Sequence, residues 1–171
     1  VHWPETMVTH IPESKVLFSC DFFGSHLATT DLMVTDKDRV YEAAKRYYAE
    51  IMMPFRRVIQ KNLDRIDRLD FDVIAPSHGP VYDEPAFIVD AYREWVAPQM
   101  KNEVVLPYVS MHGSTYEMVM HLIDALASHG VTVHAFDLAV TDIGKLAIAL
   151  VDAATLIVGT PTVHVGPHPA V

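Results

Sequence analysis

Residues 104–118 read VVLPYVSMHGSTYEM. Val104, Val105, Leu106 and Val109 form an apolar run of strand length, and a short loop follows. A helical period then covers residues 116–128 and is closed by Gly130. Downstream the same grammar repeats. Residues 131–138 read as a second strand, 143–153 as a helix and 155–159 as a third strand. Strand and helix alternating at this spacing imply βαβ units around a parallel sheet, so this part of the chain is an α/β fold. Three strands are fewer than the five or six of most open sheets of this kind. The chain is therefore expected to stop part-way through this domain.

The loop itself suggests chemistry. Ser110, His112, Gly113, Ser114 and Thr115 lie between a buried strand and a helix start. Unpaired amides and the positive end of the helix dipole favour an anion there. The hydroxyls can add donors, and Gly113 lets the backbone approach closely. Neither G-x-x-x-x-G-K nor G-x-G-x-x-G is present, which turns the reading from a nucleoside triphosphate or a dinucleotide towards a phosphate monoester. Ser114 or Thr115 could equally serve only as a helix cap. A second unusual loop, GTPTVHVGPHP over residues 159–169, follows the third strand. In a flavodoxin-like strand order, ligands bind above the carboxyl ends of strands one and three. Both loops fall at those ends.

Upstream of residue 102 the pattern differs. Residues 7–11 and 16–20 read as a hairpin around the turn Pro12-Glu13-Ser14-Lys15. A helical stripe of Val40, Ala44, Tyr47, Tyr48 and Ile51 is interrupted by Pro54 and resumes with Val58, Ile59, Leu63, Ile66 and Leu69. Residues 72–76, DVIAP, read as a strand that runs into the loop SHGPVYDEP, and a helix over residues 84–96 leads to a linker at 98–102. His2, Asp21 and His78 stand at turn or strand-end positions, where a fixed backbone can present a metal ligand. Each has an ordinary alternative as a surface histidine or a turn-capping carboxylate. Cys20 is expected to face away from Asp21, because strand side chains alternate. His26 and His121 carry no functional signal of their own.

Composition narrows the classes. Half of the 171 residues are hydrophobic and a fifth are charged, enough for a packed core. A formal net charge of -9 speaks against nucleic-acid binding, which needs clustered Lys and Arg. Residues 154–171 lack charged side chains apart from histidine, but Gly159, Pro161, Gly166, Pro167 and Pro169 break them up too often for a membrane span. The single cysteine, Cys20, excludes an internal disulfide and suits a reducing cytoplasm.

The order of these motifs, HWPETM, FSCDFFGSH, PSHGP, SMHGSTYEM and GTPTVHVGPHP, resembles the flavodiiron proteins over almost the whole chain. The resemblance implies the C-terminal part of a metallo-β-lactamase-like αββα domain at residues 1–101. The first half of a flavodoxin-like doubly wound parallel sheet would follow at 102–171. It implies that His2 ligates one iron, His78 the other, and Asp21 bridges them. It implies an FMN held by Ser110, His112, Gly113, Ser114, Thr115, Thr160, Pro161, Thr162, His164 and Gly166. The family's upstream H-x-E-x-D-H motif does not occur here, so half of the two-iron site is expected outside the chain. His164 stands where the family more often has Asn. The implied activity is reduction of O2 to water or of NO to N2O. The electrons would come from a donor such as rubredoxin or reduced F420, in a head-to-tail homodimer or a dimer of dimers. Two alternatives stay open at this point. One is a zinc hydrolase of the metallo-β-lactamase superfamily fused to a flavodoxin-like domain. The other is a flavin electron carrier without iron catalysis.

Overall fold

The computed structural model describes residues 2–3 and 6–171. The chain divides into two compact units, Val1–Pro98 and Gln99–Val171. Lys101, expected to close the first domain, opens the first strand of the second. Its amide bonds the Asp152 carbonyl at 2.8 Å and its ammonium the Asp152 carboxylate at 3.0 Å.

In the first unit, β1 (Thr9–Ile11) and β2 (Val16–Cys20) form the expected hairpin, with Lys15 at a left-handed φ of 52° closing the turn. The first strand is shorter than its sequence pattern implies; Met7 and Val8 lie exposed before it. β3 (Val73–Pro76) adds to the other side of β2 in parallel, giving the order β1-β2-β3. Leu17 and Ile74, paired across that ladder, are fully buried. Burial of each stabilises the fold by about 1.5–3 kcal/mol relative to exposure.

The helical layer comprises α1 (Lys37–Tyr47), α2 (Arg56–Ile66) and α3 (Pro85–Val96). Asp36 caps α1 by accepting from the Arg39 amide. Pro54 does not simply end α1. The chain first widens into a π-helical turn, Tyr48–Met52, and then tightens into a 3-10 turn, Met53–Phe55. Tyr47, Tyr48, Ala49 and Met52 are all buried around the wide turn, a broader buried face than a single amphipathic stripe. Arg56 then anchors the start of α2 to the carbonyls of Val96 and Ala97.

The second unit is a parallel sheet in the order β5-β4-β6, built from β4 (Lys101–Tyr108), β5 (Thr132–Asp137) and β6 (Ala153–Leu156). The crossovers are α4 (Ser114–Ser128) and α5 (Ile143–Leu150). With the first strand central, this is the flavodoxin-like order that the sequence predicts. Val104, Leu106 and Val119 form its buried centre. The segment after β6 holds a small hairpin that the sequence pattern did not reveal, β7 (Thr162–Val163) with β8 (Gly166–Pro167). Among the described residues, no helix is long and apolar enough to cross a membrane.

Candidate metal centre and flavin loops

Asp21 follows directly on β2, and the strand prepares its position. The register against β3 shifts between Phe18 and Cys20, so two steps on β2 face one on β3. A bulge of this kind bends the strand and re-aims the side chains beyond it. Cys20 takes a φ of 53°, uncommon for any residue but glycine. Strand alternation therefore fails here, and the Cys20 thiol lies 3.8 Å from Asp21 Oδ1 instead of on the opposite face. The buried Ser19 locks the following turn: its hydroxyl donates to the Phe22 carbonyl at 2.6 Å, and the Phe22 amide donates to the Ser19 carbonyl at 3.1 Å.

His78 is held against this turn by backbone. The Ser77 amide donates to the Cys20 carbonyl at 2.8 Å, and the Ser25 amide to the His78 carbonyl at 3.1 Å. Two glycines make the approach possible. A Cβ on Gly24 would meet the Asp21 carbonyl at 3.1 Å, and one on Gly79 would lie 2.1 Å from the Ser25 hydroxyl. Gly79 also has a φ of +83°.

Within this frame three side chains meet. His2 Nε2 lies 3.1 Å from Asp21 Oδ2, and His78 Nε2 lies 3.4 Å from Asp21 Oδ1. Each carboxylate oxygen thus faces a different imidazole. Ligand atoms about 2.1 Å from a shared ion, at near-tetrahedral to right angles, stand about 3.0–3.4 Å apart, so both spacings fit ligation. His2 Nδ1 is buried and has no hydrogen-bond partner among the described residues. The ring therefore has a nitrogen for which no protein partner is evident. The three residues alone do not make a complete ion cage among the described residues. The side chains of His2 and Asp21 are 14% and 19% exposed and that of His78 is 48% exposed, so the centre opens on the His78 side. Pro4 lies outside the described residues; the Trp3 carbonyl accepts from the Thr6 amide at 3.2 Å.

Two residues without a functional signal in the sequence also line the centre. His26 packs edge-on to Tyr47 at 4.7 Å and to His78 at 5.7 Å, and the Tyr47 ring lies 6.3 Å from that of His78. Burial, with the charges of Asp21 and Cys20 adding to it, pushes the Tyr47 phenol up to about 12. At neutral pH it is a protonated hydrogen-bond donor. Only the fold brings Tyr47, at the entry to the π turn, beside a loop after β3.

In the second unit, α4 starts at Ser114, two residues before the expected position, and Gly113 is its N-cap with a φ of 89°. Ser114 and Thr115 are thus first-turn residues and not caps. Their amides have no helical carbonyl to bond. Ser110 Oγ accepts from the Tyr116 amide at 3.2 Å, and His112 stands exposed in the loop. Gly159 brings the second loop alongside. Its carbonyl accepts from Val109 and its amide donates to Pro107, both at 2.9 Å. A Cβ there would come within 2.9 Å of Tyr108 and 3.7 Å of Thr115. Thr160 Oγ1 accepts from the His168 amide at 2.9 Å and donates to the Pro161 carbonyl at 3.0 Å, pinning the loop base. Thr162 and Gly166 sit in the β7–β8 hairpin, and His164 turns it with a φ of 54°. Asn and His are both enriched at such angles, a backbone reason why either suits this position.

Known proteins share this sequence pattern and fold. The family model described as ODP family beta lactamase matches residues 1–79. A nitric oxide reductase of Moorella thermoacetica is 38% identical over 96% of the chain, which spans 42% of that protein. Among solved structures, the rubredoxin oxygen:oxidoreductase of Desulfovibrio gigas superposes with a TM-score of 0.93 at 29% identity, over 99% of this chain and 44% of its own. The flavodiiron protein of Giardia intestinalis gives 0.92 at 28% identity, over 99% and 43%. The chain therefore spans less than half the length of the proteins it matches.

Proposed function

We propose, for a chain homologous along nearly its whole length to flavodiiron proteins, that it forms part of an FMN- and iron-dependent oxidoreductase reducing O2 to water or NO to N2O. The observation that carries this reading is the carboxylate of Asp21, with its two oxygens turned to two different imidazoles. In the proposal His2 and His78 each hold one iron and Asp21 serves both. Mixed histidine and carboxylate ligation suits iron. When bound, the iron pair would supply the binding site for O2 or NO and part of the reducing electrons, and FMN would supply the remainder. The remaining ligands would come from elsewhere in the protein.

The protein's own residues have separate tasks. The bulge and the Ser19–Phe22 lock hold Asp21 facing His78. Tyr47 keeps its proton through the physiological range and packs its ring beside His26 and His78. His26 packs against both Tyr47 and His78, which fixes the two rings relative to each other. In the second unit the first-turn amides of Ser114 and Thr115, with Gly113 beside them, would receive the FMN phosphate. His112 would stand at the same end, and Thr160, Pro161, Thr162, His164 and Gly166 would border the flavin ring. The first unit, Val1–Pro98, would then serve iron and the second, Gln99–Val171, flavin. A head-to-tail homodimer, alone or paired, would set the flavin of one subunit near the iron of the other. The donor would be rubredoxin or reduced F420, and the setting the cytoplasm.

The test is anaerobic reduction of the flavin followed by addition of O2 or NO. The proposal requires flavin reoxidation that is fast in the native protein and lost in Asp21→Asn, with iron as the bound metal. Zinc without iron would instead favour a hydrolase.

A further inference from the structure

The metal-centre reading leaves a set of aromatic side chains without a task. Phe22 and Phe23, the two residues after Asp21, stack on each other at 3.9 Å. Both meet the edge of Tyr92, at 5.3 and 5.0 Å. Tyr92 lies 5.1 Å from Trp95, and Tyr48 packs against both, at 5.4 and 5.3 Å. Trp95 lies 5.4 Å from Tyr41 and donates its indole N–H to the Tyr41 hydroxyl at 3.1 Å. Tyr92 and Trp95 are buried, and Tyr41 reaches the surface with part of its ring. The rings thus run without a gap from the segment that carries Asp21 to solvent.

Packing alone does not account for the choice of residues. Phenylalanine at position 92 would fill the same space. Tyr92 instead buries a hydroxyl completely, beside the Phe23 backbone, and a buried hydroxyl costs stability unless its bonding is complete. The Phe23 carbonyl next to it already accepts from Tyr82 at 2.9 Å. What Tyr and Trp have, and Phe lacks, is a side chain that gives up an electron readily.

We propose that Tyr92, Trp95 and Tyr41 form a one-electron relay that carries oxidising equivalents away from the metal centre to the protein surface. The proposal rests on the oxygen-reducing reading above. The oxidant is an oxygen-derived one-electron oxidant produced at the centre when electron supply falls short. It takes one electron from the aromatic chain and is reduced by one. The vacancy passes through Trp95 to Tyr41, which gives up an electron and releases its phenolic proton to water. Only that O–H bond is broken. A solvent reductant of the thiol or ascorbate class then returns one electron, water returns the proton, and the phenol is restored. The Trp95 N–H donated to Tyr41 keeps the two rings in register for the last transfer.

The test uses the full-length protein loaded with iron and FMN. It is reduced with limiting donor, mixed with excess O2, frozen rapidly and examined by electron paramagnetic resonance, with oxygen uptake followed in parallel. The expected result is a tyrosyl signal that disappears in Tyr41→Phe and gives way to a tryptophanyl signal. In Trp95→Phe the Tyr41 signal and the tryptophanyl signal are both lost. Each variant should keep the initial uptake rate and inactivate after fewer turnovers. If Trp95→Phe folds poorly, Tyr41→Phe decides alone, since it removes one partly exposed hydroxyl. Uptake with the same radical yield and the same number of turnovers in Tyr41→Phe as in the native protein overturns the relay and leaves the oxygen-reducing reading standing. Absence of uptake by the native protein overturns both.

Discussion

In the first unit, three side chains from three distant segments meet within 3.4 Å. In the second, the residues expected around a flavin are held in place by backbone groups, Gly159 through its own amide and carbonyl and Ser110 and Thr160 through hydroxyls that accept from neighbouring amides. The two kinds of site ask different things of a fold. Convergent side chains need stiff supports, and the first unit supplies Phe22, Phe23 and Tyr92 at or near zero exposure behind the Asp21 turn. An amide cradle needs a helix start and room for a ligand. In α4, Val119 is the one described residue that is buried, and the loop before it is open. Damage to the first site should therefore spread through packing, whereas damage to the second should stay local.

The largest effect is expected for Asp21→Asn. Changes one shell further out already reduce metal affinity by about 10–100-fold. Loss of the shared carboxylate should remove iron and abolish O2 or NO reduction while FMN is retained, as elemental analysis and the flavin absorbance will show. Loss of both cofactors together would mean that the two sites are not independent.

The glycines sharpen the contrast. Gly79→Ala meets the Ser25 hydroxyl at 2.1 Å and also forces alanine into a left-handed φ. The strained backbone alone costs about 1–3 kcal/mol, and the clash adds to it. Urea unfolding should show a loss at the upper end of that range or beyond, accompanied by lost iron. Gly113→Ala has a similar φ but nothing within 4 Å of the new Cβ. Its cost is conformational, about 1–2 kcal/mol, and should appear as weaker FMN binding in a fluorescence titration with iron unchanged.

Alkali should separate the units more gently. Tyr47, Tyr48 and Tyr92 all have phenols raised by burial, Tyr47 to about 12 from an ordinary 10. The folded state holds these protons more tightly than the unfolded chain does. Their contribution is therefore complete below about pH 10 and falls as the pH rises beyond it, for Tyr47 up to about 12. Tyr108 in the second unit is raised too, by a lesser burial. Circular dichroism at pH 8 and pH 11 should show the tyrosine-rich unit losing its near-ultraviolet signal first. Equal stability at both values would contradict the burial account.

Much of this contrast was visible in the residues themselves. The alternation of apolar runs in residues 104–159 states the βαβ order, because each element packs on one sheet and keeps its period. The hairpin turn at residues 12–15 carries its own chemistry. The π turn at Tyr48–Met52 was not legible, since a 3.6-residue stripe cannot report a wider turn. Nor was the reversal of Cys20, which depends on a bulge created by pairing with β3. His26 gave no sign of a role because its neighbours, Tyr47 and His78, are distant in the chain. The β7–β8 hairpin was hidden by Pro161 and Pro167, residues that argue against a strand. The meeting of His2 with Asp21 and His78 was an inference from motif order, and the fold supplies its geometry.

The proposal has Asp21 serving iron on both sides and thereby linking flavin oxidation to O2 or NO. The direct measurement is stopped-flow reoxidation of the reduced flavin by O2 and by NO, in native and Asp21→Asn protein of known metal content. Expected are iron in the native protein, rapid reoxidation by one or both gases, and a rate in the variant no faster than that of free reduced flavin. Reoxidation unchanged by Asp21→Asn, or a native protein that holds zinc and no iron, would contradict it.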